Sequence, residues 1–383
     1  MWYRKYWIKR IEEAWQRRNV VWLYGVRRVG KTVLCQSLAD TEYLDCELPR
    51  VRQALTDPEG FLSGLVGKRV VLDEVQRLDN PSELLKIAAD HYPGVKVLAT
   101  GSSTLGASRK FRDTLTGRKA EVWLTPMMSQ DLQDFEQTDL DHRLRLGGLP
   151  PFFLSEDLPA LDYEQWLDSY WARDVQELFR LERRDGFRQL VQLLFVQSGG
   201  ILSLNRLAKQ SSISHTTGRN YLEVLETTQV VHLVRPYSTY RATEITSAPK
   251  VYAFDTGFVR HFRGWNQLRP EDFGLLWEHY VLNELNARIA YPQVNYWRDK
   301  RGHEVDFVLA HPQAPLIAME CKRSVATFEP QGLFAFRKVY PEGLNWVVGP
   351  DVAPSFRRRY DDLEVEFLSI DDLNLRLTQL KIT

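Results

Sequence analysis

Short runs of apolar, β-branched residues alternate with helix-like segments in the first third of the chain. The runs cover residues 20–23, 70–72 and 95–99, and the first continues into a segment with helical spacing from Lys31 onward. About forty residues separate Thr32 from Asp73, which follows the second run, and this leaves room for a crossover helix and another strand, as parallel sheets require. The pattern therefore predicts a parallel α/β domain near the N-terminus.

The middle of the chain has a different pattern. From about residue 130 to 192 the charge is dense and the apolar spacing is helical, which predicts a helical connector that either relays conformational state or links domains passively. Residues 202–209 and 215–227 then read as two helices, and Ser214 caps the second. A strand at 230–234 and a returning strand in "PKVYAF" follow. This order is typical of a winged helix.

The second of these helices carries polar side chains near its start. His215, Thr216, Thr217 and Arg219 occupy the positions at which a recognition helix meets base edges or phosphates. Gly218 costs about 1 kcal/mol of helix propensity relative to alanine, and the helix has few basic side chains. Since winged helices also dock proteins, DNA contact and protein contact are equally open alternatives.

Two carboxylates interrupt a pair of apolar runs near the C-terminus. If residues 303–309 and 316–322 form a hairpin with its turn centred on Gln313, Asp306 lies opposite Glu320. Their Cβ atoms would then be about 5 Å apart on one face of the sheet. Two carboxylates at this separation repel each other unless a cation or a proton lies between them.

Other charged side chains are expected beside this pair. Lys322 shares a face with Glu320, and Glu278 lies on the apolar stripe of a predicted helix with Leu275, Leu282 and Leu285, which directs it inward. Two acids that hold a divalent metal next to a lysine suit phosphodiester hydrolysis. The alternative is structural, because the same register lets Lys322 form an ordinary cross-strand ion pair with Glu304.

A glycine-rich turn joins the first strand to the following helix. It reads Gly25-x-x-x-x-Gly30-Lys31-Thr32, and such a turn directs backbone N–H groups inward to surround phosphates. Lys31 is expected to reach the β- and γ-phosphates, and the Thr32 hydroxyl is expected to bind Mg²⁺. The alternative, a chance glycine-rich turn, does not explain the strand before it and the helix after it.

Two acids end the strand at 70–72. Asp73 is expected to hold the metal through water, and Glu74 to polarise the attacking water, with helix capping as the structural alternative. A hydroxyl after the next strand, Thr100, Ser102 or Ser103, is expected to sense the γ-phosphate, since ligands of open α/β sheets bind at the carboxyl ends of strands.

Three arginines, Arg109, Arg112 and Arg118, follow the third strand closely. One of them is a candidate for an arginine finger that reaches the nucleotide of a neighbouring subunit and stabilises the developing charge. The alternative for each single arginine is a solvated basic face.

Composition narrows the class of protein. The 383 residues are 44% hydrophobic and 26% charged, which is typical of a globular protein. Lys plus Arg equals Asp plus Glu at 50 each, so attraction to nucleic acid must come from local patches. Cys35, Cys46 and Cys321 are scattered without metal-type spacing, and the N-terminus has no apolar central stretch. We expect reduced thiols, a cytoplasmic location and no membrane contact.

The motifs resemble those of a prokaryotic family of AAA-type P-loop ATPases with a C-terminal region of unassigned activity. The similar segments are "GVRRVGKT", "VVLDEVQ", "TGSS", "RLGGLPPF", "YWARDV", "PKVYAFDTGF" and "EVDFVL" with "MECK". The resemblance implies ATP and Mg²⁺ as cofactors, Arg118 in "TGR" as the preferred finger, and a homo-oligomer, with a hexameric ring as one form. The nucleotide contacts expected are Gly25, Arg28, Val29, Gly30, Lys31, Thr32, Val33, Asp73 and Ser102.

The C-terminal residues resemble a PD-(D/E)xK nuclease fold, with Glu278, Asp306, Glu320 and Lys322 at the matching positions. We therefore expect an ATPase domain at 1–135, a helical connector at 136–192, a winged helix at 193–262 and a mixed α/β nuclease-like domain at 263–383. The function expected is Mg·ATP-driven or ATP-gated work on DNA. The alternatives are a nucleotide switch that binds proteins and a metal-dependent nuclease regulated by ATP.

Overall fold

The computed structural model describes residues 3–101, 111, 114–156, 160–176, 184–240, 247–289 and 294–382. The predictions for Ser102, Ser103, Arg109 and Arg112 fall outside these ranges. Two compact units are present. The first comprises Met1–Asp139, Leu149–Arg184 and Asn220–Val230, and the second comprises Leu140–Gly148, Asp185–Arg219 and Val231–Thr383.

The first unit contains a five-stranded parallel sheet. Its strands are β1 (Val20–Tyr24), β2 (Thr41–Asp45), β3 (Arg69–Asp73), β4 (Lys96–Thr100) and β5 (Lys119–Trp123). They lie in the order β2-β3-β4-β1-β5, and every pairing is parallel. The predicted parallel α/β sheet is therefore confirmed. Because these strands are parallel and β4 lies between β1 and β3, the turns that follow the three strands are neighbours at one edge of the sheet.

Helices surround this sheet. The described ones are α1 (Lys5–Arg17), α2 (Lys31–Gln36), α3 (Pro49–Ala54), α4 (Pro58–Ser63), α5 (Pro81–His91), α6 (Ser129–Asp134), α8 (Pro150–Phe153) and α9 (Ala160–Tyr170), the last followed by a π-helical turn (Trp171–Val175). In α1 the buried residues Trp7, Ile11, Ala14 and Trp15 recur at helical spacing, which explains how a charge-rich segment packs on the sheet.

A buried ion pair joins α1 to the segment after β5. Arg4 is 5% exposed and Asp131 is fully buried, and the Nη2 and Oδ2 atoms are 2.6 Å apart. The same guanidinium donates to the carbonyl oxygens of Val29, at 3.0 Å, and of Thr125, at 2.9 Å. The N-terminal helix therefore fixes the backbone of the glycine-rich turn.

The second unit contains a nine-stranded sheet. Its strands are β6 (Gly200–Ile201), β7 (Val231–Pro236), β8 (Lys250–Ala253), β9 (Val294–Arg298), β10 (Glu304–Leu309), β11 (Ile317–Cys321), β12 (Leu344–Val348), β13 (Phe356–Tyr360) and β14 (Leu363–Leu368). The order is β13-β14-β12-β11-β10-β9-β7-β8-β6. Strand β7 pairs with β8 on one side and with β9 on the other, so the predicted wing strands and the predicted hairpin belong to one sheet.

Eight more α-helices lie within the described residues. They are α7 (Leu140–Leu146), α10 (Arg184–Val196), α11 (Leu204–Gln210), α12 (His215–Thr227), α13 (Thr256–Phe262), α14 (Pro270–Arg288), α15 (Gln331–Val339) and, near the C-terminus, α16 (Ile370–Gln379). Helix α12 has the predicted bounds, and Ser214 Oγ accepts a hydrogen bond from the N–H of Thr217 at 3.0 Å. Among the described helices, none is long and apolar enough to cross a membrane.

Two of the motifs shared with the resembling family meet inside the second unit. Asp255 caps α13 by accepting from the N–H of Gly257 at 2.9 Å, and its other oxygen accepts from the N–H of Gly148 at 2.6 Å. A Cβ on Gly148 would lie 2.2 Å from the Arg143 guanidinium, so a larger residue would have to displace this buried side chain. The segments "RLGGLPPF" and "FDTGF" are thus explained by packing.

Candidate functional site

The glycine-rich turn between β1 and α2 has a backbone that few residues adopt. Gly30 has φ +98° and Arg28 has φ +63°, both in the left-handed region. A Cβ on Gly25 would lie 2.3 Å from the carbonyl oxygen of Leu124 on the neighbouring segment. The first and last glycines of the motif are therefore required by the close approach of another backbone and by a positive φ.

Lys31 begins α2 and turns back over this loop. Its Nζ donates to the carbonyl oxygen of Gly25 at 2.9 Å. Burial lowers the pKa of Lys31, and the carboxylates of Glu74, Asp174 and Asp73 oppose this shift. An ammonium group that is partly removed from water favours an anionic ligand.

The carboxylate of Asp73 is the centre of a hydroxyl network at the end of β3. It accepts from Thr32 Oγ1 at 2.8 Å and from Tyr43 Oη at 2.7 Å, and its other oxygen accepts from Thr100 Oγ1. Adjacent hydroxyl and carboxylate oxygens are the ligands that Mg²⁺ prefers, so Thr32 and Asp73 fit this ion. Three hydroxyl residues were candidates for the γ-phosphate sensor. Thr100 is the one that lies within the described ranges, and it contacts Asp73.

Glu74 has φ +58°, a left-handed conformation that is uncommon outside glycine and that turns its side chain away from the strand direction. Its carboxylate accepts from the Gln76 side chain, and its N–H donates to Thr100 Oγ1 at 3.3 Å. Glu74 occupies the N-cap position of a 3-10 turn, Val75–Arg77, but its side chain makes no capping hydrogen bond to that turn, so the structural alternative applies to its position alone. Residues with strained backbone are frequent where chemistry takes place.

One cavity of about 500 Å³ lies over these groups. Its walls include Gly25, Arg28, Val29, Gly30, Lys31, Thr32, Val33, Asp73 and Glu74. Three further residues that sequence reasoning missed, Arg27, Arg173 and Asp174, also line it. Arg27 Nη1 lies 3.7 Å from Asp174 Oδ2, and Asp174 belongs to the π-helical turn. The adjacent arginine and aspartate in "YWARDV" were the sequence signal for these residues. The π-helical turn that they form is of a type common at functional sites.

Arg118 lies elsewhere in the first unit. It immediately precedes β5, and the register pairs Lys119 with Val20 at the start of β1, so Arg118 is at the opposite edge of the sheet from Gly25. Its Nε donates to Asp90 Oδ1 at 2.8 Å. The geometry separates Arg118 from the nucleotide cavity of its own subunit, and its action on a neighbouring subunit remains a prediction.

The register predicted for the C-terminal hairpin is confirmed. Phe307 pairs with Met319 and Leu309 with Ile317, and one step further in the same register Asp306 is opposite Glu320. Asp306 Oδ2 accepts from the N–H of Cys321 at 2.8 Å, which ties the side chain to the partner strand.

Two lysines neutralise part of this acidic group. Lys322 Nζ lies 2.9 Å from Glu320 Oε2. Lys250, on β8, lies 2.5 Å from Glu304 Oε1 and 3.4 Å from Glu278 Oε1. The alternative ion pair between Lys322 and Glu304 is therefore not the arrangement found, because Lys250 and Arg298 pair with Glu304 instead. Sequence reasoning missed Lys250.

Burial perturbs the acids of this site. It raises the pKa of Glu320 to about 8, and the charge of Asp306 adds to the shift. It also raises the pKa of Glu278 to about 7, although Lys250 opposes the change. Tyr252 Oη donates to Glu278 Oε1 at 2.5 Å. Perturbed acids of this kind concentrate at functional sites, although structural ion pairs produce them as well.

A cavity of about 710 Å³ opens onto this group. Glu278, Asp306, Cys321, Lys322 and Arg323 line it together with apolar side chains of α14. Within the ranges that the structure describes, no group of three or more His, Cys, Asp or Glu side chains is arranged to hold a metal ion. Any ion bound here would depend on Asp306 and Glu320, whose facing carboxylates are chemically suited to a hard divalent cation.

The start of α12 is open to solvent. His215, Thr216 and Arg219 are exposed, and Thr217 is half-buried. Gly218 packs against α11, where a Cβ would meet Ala208 Cβ at 3.3 Å, which accounts for glycine inside this helix. The geometry thus brings the four predicted reading residues to one accessible helix end.

Three family models match successive parts of the chain. Residues 17–132 match a model described as AAA domain, residues 137–269 match "Domain of unknown function (DUF8612)", and residues 273–363 match "Domain of unknown function (DUF4143)". With the geometry of the glycine-rich turn and Asp73, the first match defines an AAA-type P-loop ATPase domain. A domain of this type uses nucleotide and usually Mg²⁺.

Two curated proteins are similar over most of the chain. They are uncharacterized proteins of Mycobacterium tuberculosis and Mycobacterium bovis, each 28% identical over 327 residues, which covers 82% of this chain and 73% of the relative. Among solved structures, a Walker-type ATPase of Pyrococcus abyssi is 16% identical, with a TM-score of 0.44 over 69% of this chain and 96% of that chain. Cdc6p of Pyrobaculum aerophilum has a TM-score of 0.29 at 11% identity, over 72% and 94%.

Proposed function

We propose that this protein hydrolyses Mg·ATP in its first unit and uses the reaction to drive or gate work on DNA by its second unit. The single observation that carries the first part is the contact between the Thr32 hydroxyl and Asp73 beside Lys31, within one cavity. The observation that carries the second part is a single cavity lined by Glu278, Asp306 and Lys322.

The geometry supports a proposed role for each residue of the ATPase site. Lys31 leaves the Gly25 carbonyl and binds the β- and γ-phosphates, and the loop N–H groups surround them. Thr32 and Asp73 would hold Mg²⁺, and the bound ion would neutralise charge on the transferred phosphoryl group. Glu74 orients and polarises the attacking water. Thr100 reports the γ-phosphate to β3 through its contact with Asp73.

The proposal for the second unit is supported by its order of elements. Helix α10, β6, α11, α12, β7 and β8 follow the order of a winged helix, with β6, β7 and β8 as its small sheet. Helix α14, β9, β10, β11, α15 and β12 then follow the αβββαβ order of the PD-(D/E)xK fold that the sequence resembles. We assign Asp306 on β10 and Glu320 on β11 to the acidic positions that the resemblance implies, with Lys322 just after β11.

We propose that α12 and the acidic cavity contact the same nucleic acid. The exposed start of α12 presents His215 and Arg219, while Lys322 and Arg323 line the acidic cavity and provide positive charge beside the carboxylates. The winged helix is assigned to residues 193–262, the nuclease-like domain to 263–383, the connector to 136–192 and the ATPase domain to 1–135. A homo-oligomer, in which Arg118 acts in trans, completes the proposal.

DNA-stimulated ATP hydrolysis tests this function. The rate of phosphate release is measured at low ionic strength with and without linear duplex DNA, because phosphate contacts weaken steeply with salt. Stimulation by DNA is expected, and Lys31→Met is expected to abolish hydrolysis. Arg219→Glu is expected to reduce the stimulation, whereas the matched control Arg357→Glu, an exposed change on β13, is not.

Two outcomes would replace the proposal. Slow turnover with tight nucleotide retention and no effect of DNA at low salt favours a nucleotide switch whose second unit binds proteins. DNA cleavage that continues at full rate in the Lys31→Met variant favours a metal-dependent nuclease that ATP only regulates.

A further inference from the structure

Lys250 is a buried lysine that enters the acidic site from outside the hairpin and helix that form it. It lies on β8, which reaches the site because β7 pairs with both β8 and β9. Its side chain is 4% exposed, and its Nζ contacts Glu304 at 2.5 Å and Glu278 at 3.4 Å. The ammonium also lies 5.6 Å from the centroid of the Tyr296 ring. A buried ammonium with this many partners is fixed in position.

With all four of its carboxylates ionised, as metal binding requires, the charges of the site do not balance without a further cation. Four carboxylates, those of Glu278, Glu304, Asp306 and Glu320, share the region with two ammonium groups, those of Lys250 and Lys322. Two negative charges therefore remain. Arg298 approaches Glu304 at 3.7 Å, but its side chain is 45% exposed and its charge is largely screened by water. One divalent ion matches the remaining charge.

The hydrogen bonds divide the carboxylates into two pairs. Glu278 is held by Tyr252 and Lys250, and Glu304 is held by Lys250. Asp306 and Glu320 are opposite each other in register, with Lys322 on one oxygen of Glu320 and the N–H of Cys321 on one oxygen of Asp306. Asp306 and Glu320 each have a second carboxylate oxygen that takes no part in these contacts.

We propose that Lys250 takes the position of a second cation, so that the site accepts one divalent ion, between Asp306 and Glu320, and not two. Lys250 is a positioning residue, since it acts through Glu278 and Glu304. The ligand class is a hard divalent cation such as Mg²⁺ or Mn²⁺, because every donor at the position is oxygen. The inference rests on the proposed acidic site of the second unit.

Counting bound Mn²⁺ tests the inference. The full chain carries Thr32→Val, which removes a ligand of the P-loop ion, and no nucleotide is added. Mn²⁺ is titrated alone, and free ion is followed by electron paramagnetic resonance. The expected result is one ion per chain, lost on Asp306→Ala. Lys250→Met, which keeps the length and removes the charge, is expected to bind two ions. Lys250→Arg, which keeps the charge, is expected to bind one.

A second pair of variants covers the case in which Lys250→Met does not fold. Lys250→Met with Glu278→Gln removes one charge of each sign, so the chain should fold and bind one ion. Glu278→Gln alone leaves a single excess negative charge and is expected to weaken Mn²⁺ binding about tenfold, which corresponds to about 1.4 kcal/mol.

Each contrary result of the Mn²⁺ titrations would overturn a different part of the proposal. If the Thr32→Val chain binds no ion and Asp306→Ala changes nothing, the proposed metal site itself is wrong. If the chain binds one ion but Lys250→Met also binds one with unchanged affinity, the site stands and the role of Lys250 is overturned. Two ions bound with Lys250 intact would also overturn it.

Discussion

Replacing Arg4 with methionine is expected to destabilise the ATPase unit strongly. Arg4 donates four hydrogen bonds, two to the Asp131 carboxylate and one each to the carbonyl oxygens of Val29 and Thr125. Methionine retains the apolar stem but leaves Asp131 buried with two remaining donors, the N–H of Met128 and the indole of Trp7. Removing one partner of a buried ion pair costs about 3–5 kcal/mol.

Thermal denaturation followed by tryptophan fluorescence measures the effect. For a unit of this size, 3–5 kcal/mol corresponds to a midpoint lowered by roughly 6–20 °C. The transition of the first unit is identified as the one that added Mg·ATP raises, because a ligand stabilises the state that binds it. Affinity for nucleotide should also fall, since Arg4 holds the Val29 carbonyl in the glycine-rich turn.

Two further variants serve as controls. Lys9→Met lies on α1, which begins directly after Arg4, but Lys9 is 78% exposed and 3.9 Å from Glu13, so its loss is expected to cost less than about 0.5 kcal/mol. Arg4→Met combined with Asp131→Leu should recover most of the stability, because no buried charge then lacks its partner. An Arg4→Met midpoint within about 2 °C of the native one would refute the reasoning.

Three more outcomes are expected. Glu74→Gln should lower the rate of ATP hydrolysis by roughly 10²–10⁴-fold while nucleotide affinity is retained, and rates equal to the native ones would exclude Glu74 as the residue that activates water. Asp306→Ala should abolish DNA cleavage and preserve ATP hydrolysis, and loss of both together would indicate a folding defect instead. Without divalent ions, the free energy of unfolding should fall as pH rises from about 4.5 to about 8, because burial raises the pKa of Glu320 to about 8 and the folded state then binds more protons than the unfolded state. Urea midpoints across this range, compared with those of Glu320→Gln, which should vary less, check this.

Short sequence patterns were sufficient to predict two features of the fold, the bounds of α12 and the register of the C-terminal hairpin. The bounds of α12 follow from a capping serine and helical spacing, and both agree with the structure. The hairpin register follows from alternation of apolar residues and a turn centred on Gln313, since a slip of one residue would move every side chain to the other face.

Contacts between distant segments had no such signal. From the sequence, Lys250 was interpreted as an ordinary residue of a wing strand, because no neighbouring residue indicates that β7 also pairs with β9. Arg4 and Asp131 are 127 residues apart, and a charged residue among aromatics at an N-terminus predicts an amphipathic helix equally well. Arg173 and Asp174 lay in a charge-rich segment interpreted as a connector, although both line the nucleotide cavity.

Binding of a triphosphate at the glycine-rich turn is the claim on which the rest depends. Calorimetric titration of the full chain with a non-hydrolysable ATP analogue and Mg²⁺ measures it directly. The account predicts one nucleotide per chain, with binding weakened by Lys31→Met and by omission of Mg²⁺. Titration that registers no heat with the native chain, together with no binding of a fluorescent ATP analogue, would contradict it.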